Sequence, residues 1–177
     1  MNCTNLKFAG QHRAGDRTRS AGFTLMELLI VISIIVILML IAIPTANTIR
    51  KHTDEVSAQK SLQTIEQAQS MYEQNYPVTG FACTLAALGG ETGSAPSATS
   101  AQLLNGQLVT GVKDGYIFNI TNCIKSTANN SERVTSYTLT ATPATVGRTG
   151  DRGFCVEAGG PIKMDPAGGT NCTQMVQ

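Results

Sequence analysis

The sequence predicts an α+β fold: one long N-terminal helix, its first half fit to span a membrane, packed by its second half on a small antiparallel β-sheet. Three observations predict it. From Leu28 to Ile43 no residue carries a charge, and Ser33 is the only polar side chain. Beyond Pro44, apolar residues recur at helical spacing as far as Pro77. After Gly115, short stretches alternate apolar and polar residues between turn signals.

Residues 1–22 hold Lys7, Arg13, Arg17 and Arg19 against one acid, Asp16. Bases clustered beside a membrane segment stay cytoplasmic, which places the rest of the chain outside. The 21 residues from Phe23 to Ile43 rise about 31 Å as a helix at ~1.5 Å per residue. That is close to the thickness of a bilayer's hydrocarbon core. Glu27 lies at the edge of this span, where an unpaired carboxylate costs on the order of 2.5–3.5 kcal/mol. A partner for it is therefore expected. An ordinary secretory signal is cut after its apolar run, at a small-x-small site; here the small pair Ala21-Gly22 precedes the run.

The stretch Gly22-Phe23-Thr24-Leu25-Met26-Glu27-Leu28-Leu29, followed by an aliphatic run ending in Pro44, resembles the processing site of type IV prepilins, shared by the pseudopilins of type II secretion. The resemblance implies a pilin-like fold and cleavage between Gly22 and Phe23 by a prepilin peptidase, which is also the N-methyltransferase of the new Phe23 amine. It further implies docking on an inner-membrane assembly platform and growth of a homo-oligomeric filament. The subunit would sit in membrane lipid before assembly, single-pass in the bacterial inner membrane, with its N-terminus cytoplasmic and its head periplasmic. It would end in an extracellular pilus or a periplasmic pseudopilus. The physics is consistent with this. Cleavage removes four bases and one acid and exposes an α-amine four residues from Glu27, roughly 6 Å along a helix axis. In an axially shifted neighbour that amine can lie beside Glu27, and pairing relieves both charges.

Pro44 removes a hydrogen-bond donor, so a helix kink is expected there. Beyond it Ile49, Val56, Leu62, Ile65, Met71, Tyr72 and Tyr76 are expected to form the packing stripe, with Arg50, Lys51, Asp54, Glu55, Lys60, Glu66 and Glu73 mostly elsewhere. Pro77 ends the helix, predicted over 23–76. Gly89–Ser97 reads as a loop; it lacks the lysine and flanking strand of a phosphate-binding loop. Ser100–Leu104 is expected to form a helical turn. Strands are expected at Gly115–Thr121, Ser136–Ala141 and Gly153–Val156, with turns at Asn129-Asn130 and Gly147–Gly150. The organisation is thus a basic leader over 1–22 that is removed, a transmembrane and assembly helix over 23–44, and an amphipathic helix over 45–76. A connecting αβ loop over 77–112 and an antiparallel β head with a C-terminal loop over 113–177 complete it.

Without the leader the chain keeps nine Lys/Arg against eleven Asp/Glu, a net side-chain charge of −2. No basic stripe suggests a nucleic-acid partner. Its two histidines, His12 and His52, exclude a His-based catalytic or metal site, and the serines have no histidine to activate them. No enzyme, no cofactor and no metal are expected. Asp151, Glu157 and Asp165 could offer oxygen ligands to calcium, and major pseudopilins are similar in carrying calcium at such loops. The spacing matches no dedicated cage, and solvated loop acids are the preferred reading. The Asn-x-Ser/Thr triplets at Asn119, Asn129 and Asn171 are chance matches.

Cys3 lies in the leader. Cys83, Cys123, Cys155 and Cys172 form an even set with no CxxC spacing, which suits two disulfides made outside the cytoplasm. Three connectivities are open. The resemblance to pilins favours Cys155–Cys172, closing a C-terminal loop, with Cys83–Cys123 joining the middle loop to the sheet. Two function classes follow. One is a structural subunit polymerising into a type IV pilus or type II secretion pseudopilus. The other is a minor tip pilin or membrane-anchored binding module, recognising a substrate, DNA or a surface through its head. Tip subunits of such families often lack the glutamate present here as Glu27, which favours the body of the fibre.

Overall fold

The computed structural model describes residues 22–90, 93, 95–128 and 131–176; the side chains of 41–46, 128 and 131 also lie outside the described set. Two units follow one another, residues 1–41 and 42–177. Helix α1 runs from Leu25 to Asn75 and contributes to both. The leader falls outside the described residues apart from Gly22. The side chain of Pro44, and with it the expected kink, falls outside the described side chains.

In the second unit α1 lays a stripe on the sheet. Glu55, Ala58, Leu62, Ile65, Gln69 and Tyr72 are all buried and recur in steps of three and four, the spacing that keeps one helix face turned to a partner. Three residues expected in the stripe are not there: Ile49, Val56 and Met71 are 65 %, 37 % and 52 % exposed. At about 100° per residue they stand roughly 120–180° round the helix from Leu62. Conversely Glu55, expected off the stripe, is 5 % exposed. Beyond Asn75 the chain turns sharply: the amides of Thr79 and Gly80 both donate to the Tyr76 carbonyl, at 3.0 Å each. Pro77 has no amide with which to continue the helix.

The sheet is a six-stranded antiparallel meander in chain order. Its strands are β1 (Val112–Lys113), β2 (Tyr116–Ala128), β3 (Ser131–Pro143), β4 (Gly153–Glu157), β5 (Lys163–Asp165) and β6 (Gln174–Met175). Asp114 and Gly115 both take positive φ, +47° and +72°, the two-residue hairpin geometry that an Asp-Gly pair suits. Register Phe118↔Ala141 and Leu139↔Val156 aligns Tyr116, Phe118, Leu139, Ala141, Phe154 and Val156 in the core with Leu62, Ile65 and Tyr72.

Strands β2 and β3 extend well past the expected Thr121 and Ser136. Their outer halves form a polar ribbon paired up to Ala128↔Ser131, in which backbone pairing rather than an apolar face sets the length. Residues 129–130 lie outside the described set. The helical turn expected at Ser100–Leu104 does not form. Gln102 sits at φ +56°, and the amides of Ala101 and Leu103 donate instead to the carbonyls of Ala87 and Leu88. The short helices of this region are α2 (Leu85–Leu88) and α3 (Gln107–Thr110).

Candidate functional site

The candidate processing segment begins outside the helix. Gly22 and Phe23 precede the helix, and Phe23 is 90 % exposed. Thr24 and Glu27 then close a reciprocal capping box. The Glu27 amide donates to the Thr24 hydroxyl at 3.2 Å. Glu27 Oε2 accepts from the Thr24 amide at 3.0 Å and from its hydroxyl at 2.9 Å. Glu27 Oε1 accepts no hydrogen bond among the described residues. The Thr-x-x-Glu spacing ahead of an apolar run is a sequence signal for this cap, and the sequence reading passed over it.

From Phe23 to Leu40 every large apolar side chain is at least 45 % exposed. No face of this stretch is covered, and Ser33 returns its hydroxyl to the Ile30 carbonyl at 2.8 Å, so that beyond Glu27 no polar group reaches outward. A helix apolar all round is built to be surrounded by apolar partners. Among the described residues no helix is long and apolar enough to cross a membrane; the described side chains of the run stop at Leu40, and Ile41, Ala42 and Ile43, which complete it in the sequence, lie outside them.

In the second unit, polar side chains fix the head to the helix. Glu55 accepts from the Asp151 and Arg152 amides at 2.9 and 3.2 Å, and from Arg152 Nε and Nη2 at 2.9 and 2.5 Å. Burial pushes the Glu55 carboxyl up, but these hydrogen bonds and the guanidinium charge outweigh it and hold the group below its ordinary value. Lys51 pairs with Asp151 at 2.9 Å, and Ser57 donates to Asp114 at 2.6 Å. Further along, the Gln69 side-chain amide takes both backbone groups of Ala82, at 2.7 and 2.8 Å. Tyr72 donates to the Ala98 carbonyl at 2.6 Å. These contacts span sequence gaps that no local pattern reveals.

The structure joins Cys83 to Cys123 and Cys155 to Cys172, with Cα atoms 6.0 and 5.9 Å apart. The first ties the αβ loop to β2, the second ties β4 to the C-terminal segment. The three acids considered for calcium are dispersed among separate partners. Asp151 meets Lys51, Glu157 lies 3.7 Å from Lys163, and the buried Asp165 accepts from the Ala167 and Asn171 amides at 2.9 and 3.0 Å. Among the described residues no group of three or more His, Cys, Asp or Glu is placed to hold a metal. Of the Asn-x-Ser/Thr triplets, Asn119 lies on β2, Asn171 lies in the C-terminal loop and Asn129 falls outside the described set.

A family model described as the prokaryotic N-terminal methylation motif matches residues 17–43. The chain therefore carries the type IV prepilin and pseudopilin signature over that stretch. Neither a comparison with curated proteins nor one with solved structures gave a match.

Proposed function

We propose that this chain is a structural subunit that polymerises into a type IV pilus or type II secretion pseudopilus, after cleavage between Gly22 and Phe23 and N-methylation of Phe23. One observation carries the reading: an apolar helix uncovered on every side, from Leu25 to Leu40, lies directly behind the candidate cleavage segment within the matched motif. Lipid covers such a helix before assembly, and the same helices of neighbouring copies cover it afterwards. Glu27 is the acid that sets their stagger. Its Oε2 is engaged by Thr24, and its Oε1 is directed to the methylated amine of a neighbour's Phe23. That charge-assisted contact is strong in an apolar surrounding.

The partners this reading requires are a prepilin peptidase with methyltransferase activity, an inner-membrane assembly platform and further copies of the chain. The role is structural rather than enzymatic. N-terminal peptide mass spectrometry of the membrane-extracted protein tests it. The expected mature chain begins at N-methylated Phe23. A chain starting after Pro44, or an uncut Met1, rejects the proposal.

A further inference from the structure

The charges of the head are almost all spoken for within one copy. Lys51, Lys113, Lys125, Arg133, Arg152 and Lys163 each have a carboxylate between 2.5 and 3.9 Å away. Of the remaining described bases, Arg50 acts on Asp54, whereas Lys60 and Arg148 have no acid among the described residues. On the acidic side Glu66 is left over. It accepts no hydrogen bond and makes no ion pair among the described residues, although burial already raises its carboxyl above the ordinary value.

Glu66 borders a groove of about 450 Å³ together with Ser70, Glu73, Phe81 and Tyr137. Glu73 is neutralised by Arg133 at 2.5 Å, so Glu66 is the free charge of the groove. The walls include Phe81 and Tyr137, packed edge to face with ring centroids 5.1 Å apart. A carboxylate beside aromatic rings suits a guanidinium, which pairs through its fork and stacks through its plane.

Arg148 is presented for such a contact. It stands exposed on a turn whose backbone is internally bonded: the Arg148 and Thr149 amides donate to the Thr145 carbonyl, and the Gly147 amide to the Gly150 carbonyl. Val146, 57 % exposed, accompanies it, so the turn offers an apolar knob and a cation together. Its shape is already fixed, which keeps the entropic cost of docking low. Lys60, by contrast, stands exposed on α1 and brings neither a fork nor a projecting turn.

We infer that the Glu66 groove receives the Arg148 turn of a second copy of this chain. The contact rests on the filament reading above and adds to it a contact between the β heads of neighbouring copies. The two surfaces differ: the turn adjoins helix residues Lys51 and Glu55 through Asp151, while the groove lies at Glu66–Glu73. Along the helix these levels are separated by roughly 25 Å at ~1.5 Å per residue. A contact between unlike surfaces repeats head to tail, and an axial shift between parallel copies leaves it open, as a filament requires.

The test forces the contact to occur between copies. Full-length wild-type chain, which supplies Glu66, is co-expressed with a tagged Glu66→Gln/Arg148→Lys copy, which supplies an amine at position 148. Sheared filaments are treated with a carbodiimide, and the peptides are read by mass spectrometry. A cross-link joining Glu66 of one copy to position 148 of the other is expected; its absence from filaments containing both copies overturns the contact. Independently, Glu66→Arg is expected to cut filament yield about tenfold, with Arg148→Glu in the same chain restoring most of it, as a charge swap should. Normal yield from Glu66→Arg alone also overturns the contact and leaves the filament reading standing. A wild-type chain cut at Phe23 that makes no filament overturns both.

Discussion

The two halves of α1 are one continuous element in sequence, yet they bury nothing in common. Between Leu25 and Leu40 every large apolar side chain is exposed, and Glu27 with Ser33 are the polar groups. Between Ile49 and Asn75 the helix carries charges throughout, yet it buries Leu62, Ile65 and Tyr72 completely or nearly so. The difference is one of solvent. The second half finds its apolar partner in its own sheet, so its stripe is narrow and its other faces are polar. The first half leaves its large apolar side chains exposed from Leu25 to Leu40. In the filament reading proposed above, lipid and then other copies cover that surface.

The largest expected effect breaks the first half's side of this contrast. Glu27→Ala should leave cleavage at Gly22 intact and abolish filaments, read as sheared fibre yield by electron microscopy alongside N-terminal mass spectrometry. Under the proposed reading the variant removes the charge that selects the stagger between apolar helices. Normal filaments would mean that apolar packing alone sets the register. The second half should respond in the opposite way. Leu62→Ala empties a fully buried site and should cost about 3–5 kcal/mol of head stability. Urea unfolding of the detergent-solubilised full chain, followed by tyrosine fluorescence, measures it.

How far each half could be read in advance follows from the same contrast. The helix through Leu28–Leu40 was legible because uniform apolarity needs no phase; that it spans a membrane stands as a proposal. The meander was legible where Tyr116–Ile120 and Tyr137–Thr140 alternate, and less so in the polar ribbon beyond Thr121. The stripe of the second half was only partly legible. Val56 and Met71 suggested a buried face by composition, while the true phase is carried by Ala58, Ser61, Ala68 and Gln69, which are too small or too polar to announce it. Glu55 reads as one of the charges lying mostly off the stripe, yet it is 5 % exposed. Its partner, Arg152, lies 97 residues away and could not be foreseen from local pattern.

That pair supplies a smaller and pH-dependent effect. Arg152→Ala leaves the Glu55 carboxylate in a buried site with the two backbone amides alone, at a cost of about 2–3 kcal/mol, the guanidinium being partly solvated. Because the native group sits below its ordinary value, it stabilises the head above the unfolded-state pKa, and this is lost as pH falls through the lower native one. Urea midpoints should therefore decline in acid for the wild-type chain. The decline should be shallower in Arg152→Ala; equal slopes would show that the pair does not govern the acid response.

The smallest expected effect sharpens the comparison most. Met71 has the same apolar character as the residues of the first half and, at 52 % exposed, a similar lack of cover. Yet it stands on the helix half whose packing is already satisfied. Met71→Ala should therefore change the urea midpoint by less than the equivalent of about 0.5 kcal/mol, as exposed positions usually do. If it instead weakens filaments without touching stability, the outward face of the second half also belongs to the assembly surface, and the boundary between the two solvents lies further along α1 than burial within one copy indicates. If it destabilises the single chain, the helix phase fixed by Leu62, Ile65 and Tyr72 is wrong, because no helix can place those three and Met71 on one face.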